Sequence, residues 1–179
     1  MDYFLKTERL GFREWTEPDL PLAMELWCDP AVTGLIGGPF SPATARTRLD
    51  EEIRQRKEYG VQYWPVFLLH DGQHAGCAGF RPYRFEEKIY ELGIHLRPAF
   101  WGKGYAEEAA RGLMKHAFDQ LKVQALLAGH HPDNTRSRRL LKKLGFTYRG
   151  DQLYIPTGLM HPTYLLRAGP PSENSSGDI

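Results

Sequence analysis

The sequence predicts an α+β fold built on a mixed central sheet. Three observations carry that expectation. Extended runs at 61–69, 74–83 and 88–96 follow one another across short turns and read as an antiparallel meander. The second half alternates strand with helix, VQALLAGHH at 123–131 being a short apolar run between two helical patterns. No internal repeat suggests a solenoid or propeller.

Taken in order, ERLGFREW at 8–15 alternates, with Leu10 and Phe12 on one face. Thr16, Pro18 and Asp19 then form a capping box that opens a helix reaching about Cys28. DPAVTGLIGGPF combines Gly34, Gly37, Gly38 and Pro39 with apolar residues, the composition of a substrate lid rather than a linker. Ser41 and Pro42 start a second helix, with Ala45, Leu49 and Ile53 on one side and a stop near Gly60. The meander has an Asp71-Gly72 turn; PDNTRSRRLLKKLG reads as a helix stopped by Gly145, and FTYRGDQLYI and HPTYLLR as closing strands. A chain of 179 residues suits one domain, assigned to 1–168, with a polar Pro/Ser/Gly-rich tail at 169–179 expected to be flexible.

Lys and Arg total 23 against 22 Asp and Glu, a net charge of +1, so no global field favours nucleic acid or an anionic membrane. Cys28 and Cys77 stand alone, which excludes a zinc knuckle or redox pair and suits buried thiols in a reducing compartment. The N-terminus lacks the pattern of a secretory signal and no run is long enough to span a bilayer; a cytoplasmic protein without a membrane partner is expected.

The segment RPAFWGKGYAEEAARGLMKHAF, 97–118, changes period midway. In the preceding strand Glu91, Gly93 and His95 face one side and Leu92, Ile94 and Leu96 the other. Beyond the glycines Ala106, Ala109, Ala110, Leu113, Met114, Ala117 and Phe118 follow helical spacing. Gly102 and Gly104 therefore join the end of a strand to the start of a helix. The first N–H groups of a helix lack partners and carry partial positive charge, and glycine lets an anion approach them closely. Phosphate or pyrophosphate binding is one reading; a tight ligand-free connection is the other. A dinucleotide fingerprint would need glycine where Glu107 stands, and the Gly-Lys-Ser/Thr of a P-loop is absent.

A second constellation follows one strand later: Asn134 and Ser137 open a helix in D-N-T-R-S, and that helix ends K-K-L-G-F at Gly145 and Phe146. With T-E-R-L at 7–10, W-G-K-G-Y-A at 101–106, D-N-x-x-S at 133–137 and L-x-K-L-G-F at 141–146 in this order, the chain resembles the GNAT superfamily of acyl-CoA-dependent N-acetyltransferases from Thr7 to Arg167. Within it the chain looks most like the branch of ribosomal-protein N-terminal alanine and serine acetyltransferases, which also includes enzymes acting on small amines. The resemblance implies an acyl-CoA N-acyltransferase fold, a mostly antiparallel sheet with helices on both faces.

It further implies acetyl-CoA as cosubstrate. The glycine loop, Phe100, Trp101, Gly102, Lys103, Gly104, Tyr105 and Ala106, would hold pyrophosphate, while the backbone of Ile94, His95 and Leu96 lines the pantetheine. Asn134 would bond the pantetheine or cap its helix, and Arg136 or Arg139 would meet the 3′-phosphate of the coenzyme or form part of a solvated basic face. Two positions depart from the family pattern: Ala99 replaces an Arg or Gln, and Leu141 replaces the tyrosine acid. The leaving thiolate then takes its proton from Ser137, on the inward stripe of its helix, with Tyr148 as the alternative acid. Glu91 is the first general base, through water or directly, and His95 the alternative.

The acceptor is an amine of unassigned identity, and Glu25, Asp29 and Glu51 are acidic residues able to attract a cation. A ribosomal acceptor would bring contact with the ribosome; otherwise no nucleic acid is expected, and the state is monomer or homodimer. His130 and His131 are adjacent without metal-ligand spacing, so no metal is assigned. The alternative to an enzyme is a non-catalytic acyl-CoA-binding or regulatory module of the same fold.

Overall fold

A computed structural model describes residues 2–169; the segment 170–179, where the flexible tail was expected, lies outside the described residues. The strands are β1 (Leu5–Lys6), β2 (Leu10–Phe12), β3 (Tyr63–Leu68), β4 (His74–Arg84), β5 (Ile89–Leu96), β6 (Ala125–Gly129), β7 (Thr147–Tyr154) and β8 (Leu159–Arg167). They form one sheet in the order β1-β2-β3-β4-β5-β6-β8-β7, antiparallel except at β5–β6. That parallel pair arises because a helix crosses over between them, as parallel neighbours require.

The helices are α1 (Leu20–Trp27), α2 (Pro30–Thr33), α3 (Pro42–Tyr59), α4 (Tyr105–Asp119) and α5 (Thr135–Lys143). The Thr16–Asp19 capping box forms, but it opens a short 3-10 turn at Glu17–Asp19 that leads into α1. α3 begins where its caps say: the Ser41 hydroxyl accepts from the Thr44 amide at 3.1 Å, and Gly60 at φ +76° ends the helix.

Helices cover both sheet faces. Ala109, Ala110, Leu113 and Ala117 of α4 bury against Phe80, Leu92 and Leu126, the three alanines letting the helix lie close to the strands. On the opposite face Trp15, Trp27, Leu26, Leu49, Tyr63 and Cys77 form a second core beneath α1 and α3. The alternation in β5 divides as the sequence indicates: Leu92 joins the α4 layer, whereas Cys77, opposite His95 in the register, joins the other. Among the described residues no helix is long and apolar enough to cross a membrane.

Candidate functional site

β5 and β6 pair only from Ile89 to Glu91 and from Ala125 to Leu127, although β5 runs on to Leu96. The strands separate beyond that point, which leaves β5 backbone groups facing a gap. Two cavities occupy it, of about 600 Å³ and about 280 Å³. They share Ile94, His95, Asn134 and Ser137 as wall, together with Leu35 and Ile36 from the 29–40 segment. That segment, expected to be a lid, contributes lining residues to both cavities; Gly37 packs so tightly on Pro156 that a Cβ there would stand 2.7 Å from the proline Cβ.

The larger cavity ends at the glycine loop. Gly102 at φ +74° and Gly104 at φ +82° adopt the left-handed region, so two glycines are needed where the chain turns from β5 into α4. Among the described residues the amides of Gly102 through Glu107 make no backbone hydrogen bond, and no side chain caps this end of α4. A row of free N–H groups at the positive end of a helix dipole is a backbone cradle suited to an anion.

Thr7 and Arg9 of the T-E-R-L stretch hold this cradle in place, a role the sequence reading did not give them. Glu108, in the first turn of α4, accepts from the Thr7 hydroxyl at 2.6 Å, the Arg9 amide at 2.7 Å and Arg9 Nε at 2.6 Å. Arg9 Nη1 donates to the Lys103 carbonyl at 3.1 Å, and its guanidinium lies 4.5 Å over the Tyr105 ring. These contacts hold the Glu108 carboxyl below the usual carboxylate range despite its burial.

Of the residues expected at the coenzyme, Ile94, His95, Leu96, Phe100, Trp101, Gly102, Gly104, Tyr105, Ala106, Asn134, Arg136 and Ser137 line the larger cavity. Lys103 does not line the cavity and its ammonium lies 5.9 Å over the Phe100 ring, so its place in the loop is through its backbone amide. Trp101 is oriented by its Nε1 donating to the Leu96 carbonyl at 2.7 Å, and Arg136 stacks 5.1 Å over it at the cavity mouth. Arg139 also reaches this wall, whereas Lys143 ties α5 to α4 through Glu107 at 2.6 Å.

Asn134 caps α5, its Oδ1 accepting from the Ser137 amide at 3.0 Å, and it also faces both cavities. The helix-capping alternative is thus formed, with the residue still bordering the cavities. Ser137 faces both cavities too, and no hydrogen bond among the described residues uses its hydroxyl. Leu141 lines the smaller cavity at only 6% exposure, so the apolar side chain packs where the family pattern has a tyrosine.

The smaller cavity holds Glu91, whose carboxyl is raised by burial against the opposing pull of Arg81 and Arg48. His95 is pushed down to about 3 by burial and by the same arginines, so it stays neutral and is a weak proton acceptor beside Glu91. Tyr148 does not belong here: it is 56% exposed on β7, borders neither cavity, and donates its hydroxyl to Asp151 at 2.9 Å. Glu25, Asp29 and Glu51 likewise line neither cavity; Glu25 pairs with Arg97 and Asp29 caps α2.

Cys77 lies nearer the site than its sequence position implied, with Sγ 3.9 Å from His95 Nδ1. It is buried away from both cavities and burial pushes its thiol up, so it is no covalent carrier. His130, His131 and His161 all border the smaller cavity. His161 comes from β8, and neither its spacing nor its neighbours in sequence announced it.

The sequence profile of the acetyltransferase (GNAT) domain matches residues 9–147. The chain belongs to the GNAT acetyltransferase family. Among GNAT relatives it is 29% identical over 148 residues to the uncharacterized N-acetyltransferase p20 of Bacillus licheniformis, covering 82% of this chain and 83% of p20. A GNAT acetyltransferase structure from Bacillus anthracis superposes with a TM-score of 0.79 at 27% identity, over 91% of this chain and 97% of that one. RimL, a ribosomal L7/L12 alpha-N-protein acetyltransferase solved with coenzyme A, shares the GNAT fold at a TM-score of 0.77 and 17% identity, over 90% of this chain and 95% of that one.

Proposed function

We propose that residues 1–168 form a single acetyl-CoA-dependent N-acetyltransferase domain that moves an acetyl group directly to a primary amine in a ternary complex. The observation that supports this reading is the meeting of two cavities at the splayed end of β5, one headed by unpaired helix amides and the other holding a buried carboxylate. Coenzyme in the larger cavity and amine in the smaller would bring thioester and nucleophile together beside Ile94 and His95. The free amides of the cradle suit pyrophosphate, and Arg136 and Arg139 suit a further phosphate.

The amine must lose a proton to attack, and Glu91, raised by burial, is matched to receive it, directly or through water. Free β5 backbone N–H groups at the gap would stabilise the oxyanion. The thiolate leaves with a proton from Ser137, whose hydroxyl makes no hydrogen bond among the described residues. His95 is the reserve base, disfavoured by its low proton affinity. RimL, solved with coenzyme A, has the same fold and supports the coenzyme assignment.

Calorimetry with coenzyme A tests the binding half of the reading; absence of binding up to the millimolar range sinks it. Thiol release from acetyl-CoA over a panel of peptides, amino acids, polyamines and aminoglycosides tests the transfer half. Turnover that disappears in Glu91→Gln or Ser137→Ala supports the assigned roles, and turnover that persists in both removes them.

A further inference from the structure

Resting on the transferase reading, the smaller cavity also defines the chemistry of the acceptor. Among its lining residues Glu91 is the sole carboxylate, facing two guanidinium groups, Arg48 and Arg81. The arginines differ in one respect. Arg81 is already committed, its Nη2 bonded to the buried Glu52 at 2.6 Å and its guanidinium 4.6 Å over the Tyr63 ring. Arg48, projecting from α3, has no ion pair among the described residues, while the buried Nε of both arginines lacks an acceptor.

Arg48 is nevertheless held in place. Its guanidinium lies 5.2 Å over Trp27 and 5.4 Å over Phe40, so aromatic faces hold the charged group itself where Arg48 lines the cavity. An arginine so positioned presents a planar fork that matches a carboxylate in two parallel hydrogen bonds. Glu91 forms no ion pair with it or with Arg81 within 4.0 Å, so the carboxylate and Arg48 both line the cavity without pairing to each other.

We infer that the acceptor is a small amine that itself carries a carboxylate, of the amino-acid class, its carboxylate on Arg48 and its amine toward Glu91. A diamine or polyamine would instead bring a second ammonium against Arg48 and Arg81, where like charges repel. The arginines also assist the chemistry, because nearby positive charge favours the neutral form of the attacking amine. Tyr63, Tyr83 and Tyr154 complete walls of a chamber sized for a small molecule at about 280 Å³.

The test compares thiol release for the proteinogenic amino acids, their carboxamides, and putrescine and spermidine. The best amino acid should exceed its own carboxamide in kcat/KM by ~10-fold or more, as expected for a charge-assisted pair. Arg48→Met should raise KM for that amino acid by a similar factor and erase its advantage, with Arg48→Lys between the two. Turnover in which carboxamides or polyamines match or exceed every amino acid overturns this inference and leaves the transferase reading standing. So does an Arg48→Met variant that weakens amino acid and carboxamide alike. Coenzyme binding without thiol release from any class overturns the transferase reading, and this inference with it.

Discussion

Replacing Gly104 by alanine separates backbone strain from coenzyme binding. Gly104 sits at φ +82°, a region that costs an L-residue about 1–2 kcal/mol. A Cβ would stand 3.4 Å from Arg9 Nη2, a contact that a half-exposed arginine can relieve, so backbone strain dominates. The loop can escape the strain only by rotating the peptide, which turns a cradle amide away from the anion. A hydrogen bond to a charged group is worth about 1.5–3 kcal/mol, so losing one weakens coenzyme binding by roughly 10- to 100-fold. Gly60 provides the control: it ends α3 at φ +76° with nothing within 4 Å of a Cβ, and it borders neither cavity. Gly60→Ala should therefore lower Tm by a comparable few degrees, at roughly 2–4 °C per kcal/mol, and leave binding untouched. Calorimetry and thermal denaturation on both variants measure the pair. A Gly104→Ala protein that binds coenzyme A within twofold of the parent refutes the cradle assignment.

The pH profile of kcat/KM should have an acid limb above the ordinary carboxylate range, because burial raises Glu91; activity falls as pH drops through that value, and Glu91→Gln should lose ~100-fold and the limb with it. Glu108→Ala removes the acceptor of the Thr7 hydroxyl and the Arg9 amide, so a loss of about 2–4 kcal/mol in denaturant unfolding is expected, with weaker coenzyme binding because Arg9 no longer braces Lys103. His74 is 4% exposed and pushed down from 6.5 to about 4 by burial and Arg97. The unfolded chain binds that proton first, so stability is whole above 6.5 and declines as pH falls toward 4, by at most about 3 kcal/mol. His74→Phe should flatten part of that slope in urea titrations at stepped pH, the remainder following His95, and an unchanged slope would show that His74 is not its source.

Much of the glycine-loop end of the larger cavity was legible because it is built locally. Gly102, Gly104 and the helix that follows are contiguous, and the strand-to-helix change of period is written into 97–118. Asn134 and Ser137 are similarly local to one helix start. The support for that loop was not: Arg9 and Glu108 are 99 residues apart, and only the pairing of β2 into the sheet beside α4 joins them. Tyr148 misled because it lies near the right motif yet faces outward on the edge strand, while Lys103 shows that a loop residue can contribute backbone alone.

By itself the sequence determined the element types and the glycine turn that opens α4, because periodicity, caps and left-handed glycines act over a few neighbouring residues. The tertiary structure decided what lines the smaller cavity. Arg48 comes from α3, Arg81 from β4, Glu91 from β5 and His161 from β8, and no spacing rule relates them. They converge because β5 and β6 part after three paired residues, so the packing of the sheet opens a chamber that interactions along the chain could not specify.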